Sequence, residues 1–124
     1  MRRTFLNLAV SSKEHSGTNF WSYLATYGHE TPVLGTNHAS DLTDVFFVTE
    51  PTFVSTTLQK YWLNFLYSLD PNTGISRDGN PEWPLYKNES EILSFNKNNV
   101  TIIKDEFRND SFQVIQRNPG EFSQ

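Results

Sequence analysis

A single histidine stands at a turn whose residue types suit general-base chemistry. Residues 31–47 read TPVLGTNHASDLTDVFF, so Gly35 permits a tight turn, His38 follows it, and an acidic amphipathic segment comes next. A neutral imidazole can take a proton from a serine hydroxyl and later return it to a leaving group. From these residues alone two interpretations stay open: His38 is a general base, or it is a histidine on an ordinary surface loop.

Metal binding is the second chemistry that the histidines could support. His15, His29 and His38 are far apart in the chain, and Asp41 and Asp44 follow the last of them. No pair has the close helical spacing of a zinc motif, so the sequence predicts no metal site. Nothing in the sequence indicates a cofactor either.

A serine nucleophile is harder to find than a base. The elbow pattern Gly-x-Ser-x-Gly places its serine on a strained turn between a strand and a helix. The nearest approach, GISRDG at residues 74–79, has one residue too many and lies in a proline-rich loop. We interpret Ser76 as a turn residue. Trp21, Trp62 and Trp83 could form a sugar-binding platform, but their scatter over different elements favours ordinary packing.

Composition and charge exclude several classes of function. The chain has 124 residues, of which 36% are apolar and 15% aromatic, so we predict a core built from Phe, Tyr and Trp more than from aliphatic residues. The formal net charge is −4, which does not fit a cationic surface for nucleic acid. There is no cysteine, so disulfide scaffolds and thiolate chemistry are excluded. No apolar run approaches the roughly 20 residues needed to span a bilayer.

Two features bear on localisation. Met-Arg-Arg followed by residues 5–10 imitates a signal peptide weakly, but its apolar stretch is shorter than the roughly 7–15 residues that a signal core needs. We therefore predict no signal peptide in this chain. N-glycosylation sequons begin at Asn88, Asn99 and Asn109, which is compatible with a secreted glycoprotein or with an Asn- and Ser-rich surface.

Hydrophobic periodicity predicts a strand and two helices in the first part of the chain. Residues 20–26 are aromatic and partly alternating, as in a strand, and Ser40 can cap a short helix that carries acidic residues in its first turn. The strongest predicted helix has Pro51 in its first turn and ends before residues 70–72. Its apolar stripe consists of Val54, Leu58, Tyr61, Trp62, Phe65 and Leu69.

The second part of the chain is predicted to hold a long loop and short elements. Residues 71–88 are rich in proline and glycine and read as a loop. Residues 91–95 and 100–103 are predicted strands joined by a hairpin-like turn, and residues 105–116 are a predicted terminal helix. Because one large aromatic helix faces so few short strands, the sequence indicates that part of the core is missing.

Several short segments occur in order between residues 20 and 112. They read WSY (21–23), LGTNHASDL (34–42), WLNF (62–65), LDPN (69–72), WPLY (83–86) and DEFR (105–108). In this order and spacing they resemble the type-B carboxylesterase/lipase family, especially its fungal lipase-like members. The segment around His38 resembles the part of that family that carries the catalytic histidine.

The resemblance implies an α/β fold, namely the C-terminal part of an α/β-hydrolase. Residues 1–124 would form a single partial domain with an incomplete sheet, one long amphipathic helix, and short terminal strands and helix. The family cleaves carboxylic esters with a serine, Glu/Asp and histidine triad in that chain order. His38 would then be the general base, Asp41 would help orient its loop, and the protein would be secreted, without cofactor or metal.

The departures from the family pattern matter equally. The nucleophile elbow, the triad acid and the oxyanion-hole glycines are not in this sequence. Because loss of one triad member costs several orders of magnitude in rate, we expect the chain to be inactive alone and to need the N-terminal part of the hydrolase as its partner. The alternative is a noncatalytic, hydrolase-derived binding or interaction module, since the family includes adhesion proteins without esterase activity.

Overall fold

A computed structural model describes residues 6–7, 10–11, 17–28, 32–33, 35–46, 50–87, 90–106 and 108–118. Its regular elements are β1 (Tyr23–Ala25), α1 (Ser40–Phe46), α2 (Phe53–Ser68), β2 (Glu91–Phe95), β3 (Val100–Lys104) and α3 (Asn109–Arg117). The mixed α/β character predicted from the sequence is therefore confirmed. None of the described helices is long and apolar enough to cross a membrane.

The three strands form one sheet in the order β1-β2-β3. β1 runs parallel to β2, with Tyr23 opposite Leu93, and the two are joined through α1 and α2, as a parallel pair requires. β3 runs antiparallel to β2 after the turn over residues 96–99, which confirms the predicted hairpin. Among the described strands, only β2 pairs with β1, so β1 has one unpaired edge.

The sheet has apolar contacts on both faces, with β2 at the centre. Successive side chains of a strand point to opposite faces, so Leu93 and Phe95 share one face and Ile92 lies on the other. All three are fully buried. The first face packs on Val54, Leu58 and Tyr61 of α2 and on Trp83 and Val100. The second face packs on Leu6 and Tyr86.

α2 has defined signals at both ends. The Thr52 side chain accepts a hydrogen bond from the Ser55 backbone at 3.0 Å, and the Ser55 hydroxyl accepts one from the Thr52 backbone at 2.8 Å. This reciprocal pair is a capping box with serine in place of the usual Glu or Gln. The helix ends where Leu69 takes a left-handed φ of 59°. Pro51 lies before the cap, so its predicted place in the first turn is wrong.

The apolar stripe of α2 is covered at one end only. Val54, Leu58 and Tyr61 are buried as predicted, but Phe65 is 40% exposed and Leu69 is 74% exposed. Leu66, beside them, is 66% exposed. The C-terminal half of α2 thus presents large apolar side chains that the described part of the chain leaves uncovered.

Two predicted boundaries differ from the structure. The first strand is restricted to Tyr23–Ala25, the three residues that pair with Leu93–Phe95 of β2. Phe20, at the start of the predicted strand, instead accepts a hydrogen bond from the Tyr86 backbone in the loop before β2. The terminal helix starts at Asn109 and not at residue 105. Asp105 is buried instead, with its backbone N–H donating to Ser90 at 2.9 Å and its carboxylate accepting from the Tyr86 hydroxyl at 3.4 Å.

Some sequence-based predictions fall on residues outside the described ranges. These are residues 1–5 and 8–9 of the segment compared with a signal peptide, the histidines His15 and His29, the sequon residue Asn88, and the family-like residues Leu34 and Phe107. The other two sequon asparagines are exposed. Asn99 lies in the β2–β3 turn and Asn109 at the start of α3. Both side chains are therefore accessible, and their glycosylation stays a prediction.

Asn64 fastens the loop after α2 to the helix. It is 1% exposed, and its amide donates to the Pro71 and Ile75 carbonyls at 3.1 and 3.0 Å. Its side-chain oxygen accepts from the Ile75 backbone at 2.6 Å. Gly74, at a φ of 123°, passes so close that an added Cβ would lie 2.9 Å from this oxygen. One buried amide therefore shapes the loop over residues 71–75.

We expect Asn64→Ala to lower the free energy of unfolding by about 2–4 kcal/mol, because three backbone groups, one buried and two partly buried, lose their hydrogen-bond partner. Urea-induced unfolding followed by circular dichroism measures this change. Asn98→Ala, at an exposed position in the hairpin turn, is the matched control and should change it by less than about 0.5 kcal/mol. Equal effects of the two variants would contradict this role of Asn64.

Candidate functional site

His38 lies on an exposed turn that leads directly into α1. The Ser40 backbone donates to the Asn37 carbonyl at 3.2 Å, and the Leu42 backbone donates to the Ala39 carbonyl at 3.1 Å. Ala39 takes a left-handed φ of 64°, which reverses the chain at this point. The prediction of a helix directly after His38 is confirmed, although Ser40 is its first residue and not its cap.

A cleft of about 660 Å³ separates this turn from β1. Residues 21–25 form one wall and residues 36–41, which include His38, form the other. The His38 side chain is exposed, and within the described ranges no hydrogen bond or ion pair joins it to another residue. The imidazole is thus free to meet a group that enters the cleft.

Tyr23 connects the sheet to the start of α1. Its hydroxyl donates a hydrogen bond to the Asp41 carboxylate. Its ring is held edge-to-face by Trp83 and Phe95, with ring centroids 5.8 and 5.7 Å apart. Burial, and then the hydrogen bond and charge of Asp41, raise the pKa of Tyr23. The hydroxyl therefore stays protonated and keeps donating well beyond neutral pH.

A second hydrogen bond holds the loop before His38. The Gly28 backbone donates to the Thr36 hydroxyl at 3.0 Å, and a Cβ on Gly28 would lie 3.1 Å from that oxygen. Behind α1, the Gln59 amide of α2 donates to the Val45 carbonyl at 2.9 Å. The histidine turn is therefore attached to β1, to the segment after β1 and, through α1, to α2.

Tyr27 and Asp44 form a looser counterpart of the Tyr23–Asp41 pair. The Tyr27 hydroxyl is buried near the Asp44 carboxylate without reaching good hydrogen-bond geometry. Burial, and then this carboxylate, raise the pKa of Tyr27. Asp44 lies one helical turn beyond Asp41, so this pair is farther along the chain from His38.

No serine or threonine hydroxyl of the described residues is hydrogen-bonded to His38, although hydroxyl residues line the same cleft. The Ser76 hydroxyl accepts a hydrogen bond from the Asp78 backbone at 3.2 Å, and Asp78 in turn pairs with Lys60, so Ser76 is a turn residue as predicted. In the same part of the chain no group of three or more His, Asp or Glu side chains could hold a metal ion. The site as described therefore presents one exposed imidazole at the cleft.

The three tryptophans lie together, which the sequence analysis did not predict. Trp21, Trp62 and Trp83 line one cavity of about 310 Å³ with Tyr61 and Phe65. Trp83 belongs to the buried core, so packing is its role, as expected. The Trp21 and Trp62 indole N–H groups are buried without a hydrogen-bond partner in the described ranges. The spacing of Trp21 and Tyr23, two residues apart, agrees with their lining the same cavity, but no sequence pattern brings Trp62 and Trp83 to it.

Curated relatives of the chain are fungal enzymes. It is 41% identical over 122 residues to a secreted triacylglycerol lipase of Gibberella zeae and 37% identical over 121 residues to secreted lipase 1 of Botryotinia fuckeliana. The chain is related to the fungal secreted lipases. Lipase 4 of Diutina rugosa is 29% identical over 126 residues. The predicted resemblance to the carboxylesterase/lipase family is confirmed.

The similarity covers almost all of this chain but little of its relatives. The matches take in 96–98% of the chain and 20–21% of the length of each lipase, so the chain spans about a fifth of them. No protein-family model matches the chain. The relationship is therefore to one portion of a lipase.

Three tyrosines with raised pKa values should lower the stability of the protein at high pH. Burial raises the pKa of Tyr61 to about 12, against the opposing charge of Arg77, and the pKa values of Tyr23 and Tyr27 are raised further. In the unfolded chain tyrosine ionises near pH 10. Above about pH 10 the unfolded state therefore loses protons that the folded state keeps, and stability falls as pH rises toward the folded-state pKa values.

We expect the urea midpoint of unfolding to be nearly constant between about pH 8 and 9.5 and to fall steadily from about pH 10 to 11.5. Tyr61→Phe should make this fall shallower, because it removes one group that ionises only in the unfolded chain. Tyr67→Phe, at a residue that is 85% exposed, is the matched control and should leave the slope unchanged. A midpoint that does not change above pH 10 would contradict these shifts.

Proposed function

We propose that this chain is the C-terminal segment of an ester hydrolase of the lipase type, in which His38 is the general base and acid of a serine, histidine and acid triad. The observation that carries the proposal is the exposed His38 imidazole, on an anchored turn at an open cleft. The similarity to secreted lipases supports the reaction class and a secreted protein.

In the proposed reaction His38 moves a proton twice. Its neutral ring accepts the hydroxyl proton of a serine from the rest of the hydrolase while that oxygen attacks the ester carbonyl. The ring then gives the proton to the departing alcohol. A water molecule next loses a proton to His38 and attacks the acyl-enzyme; the bond between the serine oxygen and the acyl carbon breaks, His38 returns the proton to that oxygen, and the carboxylic acid is released. The substrate class is a carboxylic ester.

Two surfaces support the proposed association with the rest of the hydrolase. Among the described strands β1 pairs on one edge only, and unpaired strand edges in folded proteins are usually covered or paired. The end of α2 exposes Phe65, Leu66 and Leu69, which form an apolar surface of the kind that contacts another part of a protein. Both surfaces would be buried if further strands continued the sheet beyond β1.

A chimera tests the role of His38. This chain would replace the matching segment of the Gibberella zeae lipase, and hydrolysis of a short-chain nitrophenyl ester would be measured. We expect His38→Ala to lower kcat by about 10³-fold or more, as removal of a triad member does. Ser76→Ala should retain kcat within about twofold, because Ser76 is a turn residue. An active chimera that tolerates His38→Ala would refute the proposal.

The isolated chain provides a second test. We expect the purified 124-residue chain and its His38→Ala variant to hydrolyse the same ester at the rate of buffer, since no nucleophile is paired with His38. Turnover by the unmodified chain well above that of the variant would mean that a nucleophile lies within this chain. An inactive chimera that is folded would favour the noncatalytic binding module instead.

A further inference from the structure

The Tyr23 hydroxyl is fixed in space by the core of the protein. Tyr23 lies in β1 opposite Leu93, and its ring contacts the rings of Trp83 and Phe95 at interplanar angles of 83° and 84°. Those two rings belong to the buried cluster between the sheet and α2. Because the ring is held on two sides by edge-to-face contacts, its hydroxyl has a defined position at the wall of the His38 cleft.

The acceptor of that hydroxyl, Asp41, follows His38 closely in the chain. Asp41 is three residues after His38, in the first turn of α1, and both residues line the cleft. Between them the chain makes the left-handed turn at Ala39. A short segment with one unusual backbone conformation therefore separates the anchored carboxylate from the imidazole.

We infer that Tyr23 and Asp41 are positioning residues for His38: the hydrogen bond between them sets the place of the imidazole relative to β1 and hence to the nucleophile. This inference rests on the function proposed above. Neither residue transfers a proton in the reaction. Their effect is geometric, because displacement of a catalytic group by about 1 Å can lower the rate by about 100-fold.

The neighbouring pair explains why the inference falls on Tyr23 and not on tyrosines in general. Asp44 lies one helical turn after Asp41 and Tyr27 four residues after Tyr23, but within the described ranges the Tyr27 hydroxyl has no partner that meets hydrogen-bond geometry. Tyr27 also follows β1 and is not among the residues that line the cleft. It is therefore a matched control that changes the same kind of side chain in almost the same surroundings.

The kinetic test uses the lipase chimera described above. We expect Tyr23→Phe, which keeps the ring and removes only the hydroxyl, to lower kcat about 10- to 100-fold with KM within about twofold. Asp41→Ala should have a similar effect. Asp41→Asn should restore most of kcat, because its amide oxygen still accepts the hydrogen bond. Tyr27→Phe should keep kcat within about twofold.

Coupling between the two residues gives a sharper criterion. If they act as one unit, the double variant Tyr23→Phe with Asp41→Ala should be no slower than the slower single variant. Multiplied losses in the double variant, or a loss in Tyr27→Phe equal to that in Tyr23→Phe, would overturn the inference. Loss of activity in His38→Ala together with full activity in Tyr23→Phe would overturn it while leaving the proposed function intact.

Amide hydrogen exchange of this chain tests the same point without catalysis. The Ser40 and Leu42 amides form the turn around His38, whereas the Asn96 amide closes the β2–β3 turn by donating to Asn99. We expect Tyr23→Phe to speed exchange about tenfold or more at Ser40 and Leu42 and to leave Asn96 unchanged. Tyr27→Phe should change none of them. Unchanged exchange at Ser40 and Leu42 in Tyr23→Phe would contradict the inference.

Discussion

The rest of the described structure depends on the contacts that the Trp83 indole makes. Its N–H donates to the Ser22 carbonyl at 2.9 Å, and its ring meets those of Tyr61 and Tyr23 edge-to-face at 5.3 and 5.8 Å. Such aromatic pairs contribute about 0.5–1.5 kcal/mol each beyond the burial of their surface. One loop residue thus joins the segment before β1, β1 itself and α2.

The loop that carries Trp83 is ordered by asparagines and not by regular structure. The Asn72 side chain accepts from the Trp83 backbone at 2.7 Å and donates to its carbonyl at 3.0 Å. Asn64 holds the start of the same loop against α2. These amides satisfy backbone groups that a buried loop would otherwise leave unpaired. Of the ten buried hydrophobic side chains in the described ranges, six are aliphatic and four are aromatic, so the prediction of a mainly aromatic core is wrong. Aromatic packing and side-chain amides add to an aliphatic core and do not replace it.

Aromatic packing fixes the geometry of the His38 site. β1 has only three residues and pairs on one edge, so its ladder alone is a weak support. Trp83 and Phe95 nevertheless hold the ring of Tyr23 in β1, and the hydrogen bond from the Tyr23 hydroxyl fixes the Asp41 carboxylate. The chain of contacts from Trp83 to Tyr23 to Asp41 ends three residues from His38.

Local patterns predicted the parts of the structure that depend on local interactions. The helical spacing from Val54 to Tyr61, the hairpin around residues 96–99 and the helix after His38 all follow from neighbouring residues. The Tyr23–Asp41 bond, which joins residues 18 positions apart, leaves no such pattern. The late start of α3 was missed for a similar reason, because the burial of Asp105 depends on its distant partner Tyr86.

The grouping of the three tryptophans and the exposed end of α2 were also beyond local patterns. A stripe at helical spacing predicts which side chains share a face, but it does not say how far along the helix that face is covered. Phe65 and Leu69 belong to the stripe and are nonetheless exposed. Their exposure accords with the comparison of lengths, in which the chain spans about a fifth of its relatives.

The most direct test of the central claim is a crystal structure of the lipase chimera after reaction with a phosphonate ester, which traps the nucleophile as a stable tetrahedral adduct. Our account predicts that the His38 imidazole lies within about 3 Å of the serine oxygen bonded to phosphorus. It also predicts that the unpaired edge of β1 is covered by another strand. An adduct whose serine faces a different histidine, with His38 directed into solvent, would contradict the account.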